Sequence, residues 1–360
     1  MTQTFIHRRR ALQKLLEDSH LDALVVAYPA DRYYLTGFTG DSGAVVVGLR
    51  GTTLITDSRF SIQAGKEAQG VKVEMQKGSL WNSVGSHLKT KTKSRIGFDP
   101  EQVSVAMLGQ LKEASGTRQE WKAAPGLVSA LRMVKEPGEL SVMRKAAILA
   151  GEVVIHAARL LKPGVREFEI AAEIEYFMRK RGATGPAFET IAAFGERSAL
   201  PHARPTAKRL RKNELVVLDL GAILQHYCSD ITRTFYLGRA PARVRRWYKA
   251  VQEAQAAAVA AVESGVTCGQ VDGAARKVLA GYRLDRYFVH STGHGLGLEV
   301  HENPRVARGQ QKRLVPGNVI TIEPGVYVEG AGGIRIEDDV VVHANRTEVL
   351  TRIPRDLIEL

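Results

Sequence analysis

Cysteine is nearly missing from this chain. Its 360 residues contain two, Cys228 and Cys268, with no C-x-x-C spacing, which excludes a disulfide framework and a thiolate metal cluster. Both are read as reduced, structural thiols. Long apolar runs are missing too: none reaches the roughly 18 to 20 residues that a bilayer span needs, so no membrane partner is expected. The stretch MTQTFIHRRRALQKLLEDSH has neither the apolar core nor the small-residue cleavage site of a secretory signal, and a cytoplasmic location is expected. Aromatics make up only 6% of the chain, and acidic residues are outnumbered 38 to 51, for a net charge of +13. That sign of charge raises nucleic acid as a partner. The basic runs Arg8 to Arg10, Lys89 to Arg95 and Lys208 to Lys212 nevertheless lack interleaved aromatics and match no nucleic-acid motif. They are read as solvated surface, with no nucleic-acid partner.

What is present is ordinary globular material, 44% hydrophobic and 25% charged, in a length that accommodates two domains. Residues 7–17 read as a helix and LDALVVA, GAVVVG, TTLITD, VKVEMQ and SRIGFD as strands, with SIQAGKEA a helix between them. This is a small α/β domain, placed at residues 1–128. Pro137 and Gly138 then open a long helix, with Glu139 in its first turn. In the second domain, 129–360, helices at 139–161 and 166–181 precede strands between 188 and 237. Helices at 243–264 and 270–281 precede strands that run on to the end. Helices, hairpin, helices, hairpin: the pattern predicts two related halves.

The chemistry lies in the hairpins. In ELVVLDLGAILQHYCSDITRTFYLG, Asp219 and Asp230 are each five residues from the Leu224/Gln225 junction. Symmetric folding about that junction places them opposite each other, roughly 5 Å apart at Cβ. In NVITIEPGVYVEGAGGIRIEDDVVV, Glu323 and Glu337 are symmetric about Gly330. Either hairpin alone is also compatible with solvated acids, but a second acidic pair on a second hairpin weakens that reading. Between them, FVHSTGHGLGLEVHE contains His290, His294 and His301, three of the ten histidines. Glycines 293, 295 and 297 are expected to let the backbone approach a ligand or metal. Four carboxylates are balanced by two divalent cations, with His294 as a neutral fifth ligand. Oxygen-rich donors with one imidazole suit Mn²⁺ or Co²⁺, with Zn²⁺ a further option. Such a pair of ions supports hydrolysis.

The motifs RMVKEPGEL, RSALPHARPT, LDLGAILQHYCSDITRTF, HSTGHGLGLEVHE, TIEPGVY, GGIRIEDDV and LTRIPRDLIEL resemble, in order, those of the Xaa-Pro peptidases of the pita-bread metallopeptidase family. DRYYLTGFTG and TDSRF resemble that family's creatinase-like N-terminal α/β domain. The resemblance implies a pita-bread catalytic domain with pseudo-twofold halves. It also implies hydrolysis of the Xaa-Pro bond of short proline-containing peptides, as an Xaa-Pro dipeptidase (prolidase) or a short aminopeptidase P. It implies two metal ions, most often Mn²⁺, with a bridging hydroxide between them. Asp219 would hold one ion, Asp230 and Glu337 would bridge, and His294 and Glu323 would complete the other. Glu323 would also shuttle the proton, while His202, His290 and His301 would line the substrate site and stabilise the tetrahedral intermediate. Arg335 would steady a bridging carboxylate, with Tyr227 supporting the same shell. A homodimer is implied as well.

Two positions depart from the pattern or extend it. PHARPT places Ala203, Arg204 and Pro205 where many relatives have Gly and a small or polar residue, so the loop beside His202 differs. Arg305 matches a basic position of some dipeptidases, where it would meet a substrate carboxylate, and equally suits a solvated loop. Competing readings are a methionine aminopeptidase, a metal-free creatinase, and a non-catalytic binding protein on this fold.

Overall fold

A computed structural model describes residues 2–360 and divides into two compact units, Met1–Arg132 and Met133–Leu360. In the first, the chain extends into six strands, of which the central ones, rich in branched residues, are buried and the edge strands β4 and β6 are partly exposed: β1 (Ala23–Val26), β2 (Ala44–Gly48), β3 (Thr52–Thr56), β4 (Lys72–Met75), β5 (Ser94–Phe98) and β6 (Gln119–Ala123). They form one mixed sheet in the order β4-β3-β2-β1-β5-β6. β1 to β3 run antiparallel to one another and the outer pairs run parallel. Helices α1 (Thr2–Asp18), α2 (Pro29–Thr36), α3 (Ser61–Glu67), α4 (Leu80–Leu88), α5 (Val105–Ser115) and α6 (Leu127–Arg132) accompany it. α2 was not expected, although its punctuation is written in the sequence: Pro29 begins it and Gly37, at φ 76°, ends it. α6 carries Arg132 into a buried ion pair with Asp31 at 2.7 Å. The chain therefore leaves this unit after Arg132, not at residue 128.

The second unit begins with α7 (Pro137–Ala158) and α8 (Glu167–Lys180). α7 starts where Pro137 at its first turn needs no amide partner and Glu139 reaches back to the amide of Glu136 at 2.8 Å. The strands that follow are β7 (Gly185–Pro186), β8 (Ile191–Phe194), β9 (Glu214–Leu220), β10 (Ala222–Leu224), β11 (Tyr227–Cys228) and β12 (Ile231–Leu237). Next come α9 (Ala242–Ala260) and α10 (Cys268–Gly281). The remaining strands are β13 (Gly293–Gly295), β14 (Glu302–Val306), β15 (Val319–Ile322), β16 (Gly325–Val328), β17 (Gly332–Arg335), β18 (Asp338–Val342), β19 (Thr347–Val349) and β20 (Ile358–Glu359).

The two expected halves are there. In each, a helix pair buries one face of a long hairpin that is interrupted partway. α7 and α8 place Val153, Ile170 and Ile174 against Val216, Leu218 and Phe235. α9 and α10 place Val251, Ala254, Val271 and Leu279 against Ile320, Ile322 and Val340. Ala250, Ala254 and Ala258 are wholly buried, and such small side chains let a helix approach its sheet closely. The interrupted hairpins are β9/β12 continued by β10/β11, and β15/β18 continued by β16/β17.

Register decides which carboxylates meet. In the first hairpin Asp219 lies opposite Thr232, not opposite Asp230. The turn residues are Gln225 and His226, both at positive φ (47° and 73°). A two-residue turn of that kind centres the hairpin one residue later than Leu224/Gln225. Moving the centre by one shifts the pairing by two, and an even shift keeps every side chain on its face. Asp230 is therefore a diagonal neighbour on the same face. In the second hairpin Ile322 pairs with Asp338 and Gly325 with Arg335. Glu323 and Glu337 thus face each other across the interruption, symmetric about Gly330.

Candidate metal centre

Each of the four candidate carboxylates sits at or beside a break in a strand, where the ladder stops and side chains from both halves converge. Asp219 is the penultimate residue of β9, and Asp230 directly precedes β12. Glu323 directly follows β15, and Glu337 directly precedes β18. The two halves are joined there: the Glu337 amide donates to Thr232 O at 3.2 Å, while the Glu323 amide donates within its own half to Thr292 O at 2.8 Å. The Asp230 amide donates to Asp339 Oδ2 at 3.1 Å.

His294 is the central residue of β13, and its position depends on glycine. A Cβ on Gly293 would meet Thr321 O at 1.8 Å, and one on Gly295 would meet Asn303 O at 2.2 Å. A Cβ on Gly297 would meet Glu302 Oε2 at 2.7 Å. These glycines were expected to admit a ligand or metal. They admit neighbouring backbone and a carboxylate, so that β13 threads closely between β14 and β15. The His294 Nδ1–H donates to Gly295 O at 3.0 Å, which leaves Nε2 with a bare lone pair. That nitrogen lies 3.7 Å from Asp230 Oδ2 and 3.6 Å from Glu323 Oε1. Ligand atoms of Asp230, His294 and Glu337 all lie within 4.8 Å of one another.

Three features of the chain test the fit of divalent cations. First, Oδ1 of Asp219 and Oδ1 of Asp230 are buried without a hydrogen-bond partner, a costly arrangement unless something positive faces them. Second, burial and mutual repulsion raise the proton affinity of the acids. Glu323 is pushed up to about 8, by burial and then by Asp219, against the opposing pull of Arg335. Asp230 and Glu337 are raised well above the ordinary carboxylate range by burial and by neighbouring acids. Third, burial holds His294 down to about 4, so its imidazole is neutral, the form that ligates. Acidic oxygens that need a cation, beside a neutral imidazole with a free lone pair, suit hard or borderline divalent ions.

Around this core runs a hydrogen-bonded chain. Arg335, buried, donates to Asp219 Oδ2 (2.5 Å), Thr232 Oγ1 (3.0 Å), Tyr327 OH (2.6 Å) and Pro201 O (3.2 Å). Burial works against its charge, but Tyr327, Asp219, Glu323 and Glu337 hold it firmly protonated. Thr232 donates to Glu337 Oε2 at 2.6 Å. His290 Nδ1 donates to Ser291 O, so its Nε2 accepts from Tyr327 OH, each at 2.8 Å. Burial first, and then Arg335, keep His290 down to about 4. Its Nδ1 lies 3.9 Å from Glu323 Oε2.

His202 and His301 are exposed at the rim. The His301 ring stands edge-on to His294, centroids 4.4 Å apart. Burial and then His202 lower its pKa, while Asp219 raises it. In the PHARPT loop Ala203 is buried and Arg204 pairs with Glu189 at the surface (2.9 Å). Arg305 is exposed on β14, four residues beyond His301. Tyr227, expected beside the metal shell, donates its hydroxyl to Glu139 of α7 at 2.8 Å.

Sequence reasoning missed Thr232 and Tyr327. The first would have followed from the correct turn, since it is the residue paired with Asp219. Tyr327 lies on β16 in TIEPGVY with no spacing that marks it, and only the folded hairpin brings its hydroxyl between Arg335 and His290.

Comparison with known proteins agrees with this architecture. Residues 141–344 match the model of metallopeptidase family M24, and residues 8–134 match the creatinase/prolidase N-terminal domain. The Xaa-Pro dipeptidase of Pyrococcus furiosus is 37% identical over 98% of this chain and 99% of its own. Among solved structures, the Xaa-Pro dipeptidase from Bacillus anthracis superposes with a TM-score of 0.95 at 35% identity, covering 99% of this chain and 100% of that one. The X-Pro aminopeptidase from Thermotoga maritima superposes with a TM-score of 0.87 at 34% identity, covering 95% and 98%. The chain is therefore a metallopeptidase of family M24, with a pita-bread catalytic unit that follows a creatinase/prolidase N-terminal domain.

Proposed function

We propose that this chain hydrolyses the bond on the amino side of proline at the N-terminus of short peptides. Asp219, Asp230, His294, Glu323 and Glu337 would hold two divalent cations, Mn²⁺ ahead of Co²⁺ or Zn²⁺. The reading is carried by one observation: Asp230, His294 and Glu337 offer ligand atoms within 4.8 Å of one another, the histidine through a bare nitrogen. When bound, the cations supply Lewis acidity, polarising the scissile carbonyl and acidifying water.

The remaining work falls to side chains. The proline nitrogen of an Xaa-Pro bond carries no hydrogen and must gain a proton before it leaves. Glu323 accepts a proton from the attacking water and delivers it to that nitrogen as the C–N bond breaks. Arg335, held by Tyr327 and Thr232, fixes the carboxylate of Asp219. His290 has both ring nitrogens engaged, so its part is to wall the pocket beside Glu323. His202 and His301, both exposed, would hydrogen-bond the substrate carbonyl and the tetrahedral intermediate. Arg305 receives the free carboxylate of a dipeptide.

Relatives named as dipeptidases and as an aminopeptidase lie at similar identity, so substrate length is the point to test. The metal-stripped chain, reloaded with Mn²⁺, is offered an Xaa-Pro dipeptide and the same peptide lengthened by one residue. We expect cleavage of the dipeptide. Cleavage of the longer peptide identifies an aminopeptidase P, and inactivity on both with Mn²⁺, Co²⁺ and Zn²⁺ overturns the reading in favour of a binding protein. A cytoplasmic homodimer completes the proposal, in keeping with the architecture it shares with its relatives. Sedimentation of the purified chain as a monomer would overturn the dimer.

A further inference from the structure

Behind the proposed metal ligands, on the opposite face of β18, lies a buried ionic node that the chemistry above does not use. Glu337 and Asp338 are adjacent, so their side chains leave the strand on opposite sides. Glu337 faces Thr232; Asp338 faces α9, where Gln255 donates to its Oδ2 at 2.7 Å. Asp338 is fully buried and accepts three further bonds. Arg233 Nη2 and Thr351 Oγ1 reach Oδ1 at 2.8 and 2.7 Å, and Arg355 Nε reaches Oδ2 at 2.5 Å.

Arg233, also buried, links this node to the ligand itself. It donates to Glu337 O at 2.6 Å and Thr232 O at 2.9 Å, the backbone of the ligand and of the residue whose hydroxyl holds that ligand's carboxylate. Its remaining bonds go to Ile353 O (3.0 Å) and Pro354 O (2.9 Å). The segment Thr351–Arg355, which follows β19, thus supplies a hydroxyl, two carbonyls and a guanidinium to one cluster. Thr351 Oγ1 also accepts from the Asp339 amide at 3.1 Å, and Asp339 in turn accepts the Asp230 amide. Both candidate bridging carboxylates are therefore tied through backbone to the same five residues.

We propose that Asp338, Arg233 and Arg355 are positioning residues for Glu337 and Asp230, so that docking of Thr351–Arg355 and divalent-metal binding are coupled. The coupling rests on the metal-ligand assignment above. A segment that fixes the ligand backbone contributes only when packed, and a cation that fixes the same carboxylates favours the packed state. Linkage makes the effect reciprocal.

Mn²⁺ is titrated calorimetrically into the metal-stripped full chain as wild type, Arg355→Gln, Arg355→Lys and Arg352→Gln. The side chain of Arg355 is 30% exposed, so its replacement leaves the interior filled. Arg352, 73% exposed on the same segment and paired with Glu348, is the control. Arg355→Gln is expected to weaken Mn²⁺ binding about 10- to 100-fold, the range for residues that orient ligands. Arg355→Lys should recover part of the loss, and Arg352→Gln should match wild type. Amide exchange at 351–355 in the wild type should slow on adding Mn²⁺, a readout that needs no variant. Equal Mn²⁺ affinity in Arg355→Gln and wild type, even with a lowered thermal midpoint, overturns the coupling, as does exchange indifferent to Mn²⁺. Absence of Mn²⁺ binding in the wild type overturns the metal-centre assignment itself.

Discussion

At the scale of single residues, the site depends on a few atoms whose removal has separable effects. Glu323→Gln keeps the size of the side chain and removes its basicity. We expect kcat on an Xaa-Pro dipeptide to fall by about 10² to 10⁴, with KM changed little, as for loss of a general base. Steady-state kinetics of the Mn²⁺-loaded variant measure this, and a kcat within threefold of wild type would remove Glu323 from proton transfer. Tyr327→Phe removes the hydroxyl between Arg335 (2.6 Å) and His290 (2.8 Å). A reduction of about 10-fold in kcat/KM is expected, with a loss of about 1 to 3 kcal/mol in stability, because buried Arg335 and His290 each lose a hydrogen-bond partner. A variant as active as wild type would show that Arg335 and His290 are held without it.

Among the elements, what matters is how closely strands approach and how hairpins turn. A Cβ on Gly293 would stand 1.8 Å from Thr321 O, so Gly293→Ala must push β13 away from β15. His294 would move with it. A loss of about 2 to 4 kcal/mol in urea-induced unfolding, together with weaker Mn²⁺ binding, is the expected outcome. Wild-type stability would mean that the strands separate without cost. The Gln225-His226 turn invites the opposite result: both residues hold positive φ, where Asn-Gly is the favoured pair. The double change Gln225→Asn and His226→Gly should raise stability by about 0.5 to 1 kcal/mol in the same assay. It should also leave Mn²⁺ affinity unaltered, because register and face are preserved.

For the whole molecule, the buried acids tie stability to pH and to metal. Glu323 is raised from an ordinary value of 4.5 to about 8 in the folded chain, and Asp230 and Glu337 shift in the same direction. The folded metal-free chain therefore binds more protons than the unfolded one between these values. The contribution from Glu323 is complete below 4.5 and is lost as pH rises through about 8. His290 and His294, lowered from 6.5 to about 4, act oppositely: theirs is present above 6.5 and lost as pH falls through about 4. A cation requires the deprotonated acids and the neutral imidazole. The rise in thermal midpoint on adding Mn²⁺ should therefore grow from pH 5.5 to about 8. Scanning calorimetry on stripped and loaded protein tests this, and a shift independent of pH would show that the acids are already ionised without metal.

The sequence by itself determined most of the elements and which residues are candidate ligands. Valine-rich runs, Pro137 with Glu139 at a helix start, and two acid-bearing hairpins separated by helices all act over a few residues, where sterics and burial leave one solution. Glu323 and Glu337 were correctly opposed because the turn around Gly330 is symmetric. Asp219 was first matched with Asp230 instead of Thr232 because Gln225 and His226 are not residues that advertise positive φ. Period-two alternation nevertheless kept Asp219 and Asp230 on one face. Tertiary structure alone decided what stands between and behind them. Tyr327 joins Arg335 to His290, glycines 293 to 297 serve strand packing, and Thr351–Arg355 grips Glu337 from more than a dozen residues away. Such contacts join segments distant in the chain, where no local preference acts and only the packing of two half-domains fixes which atoms meet.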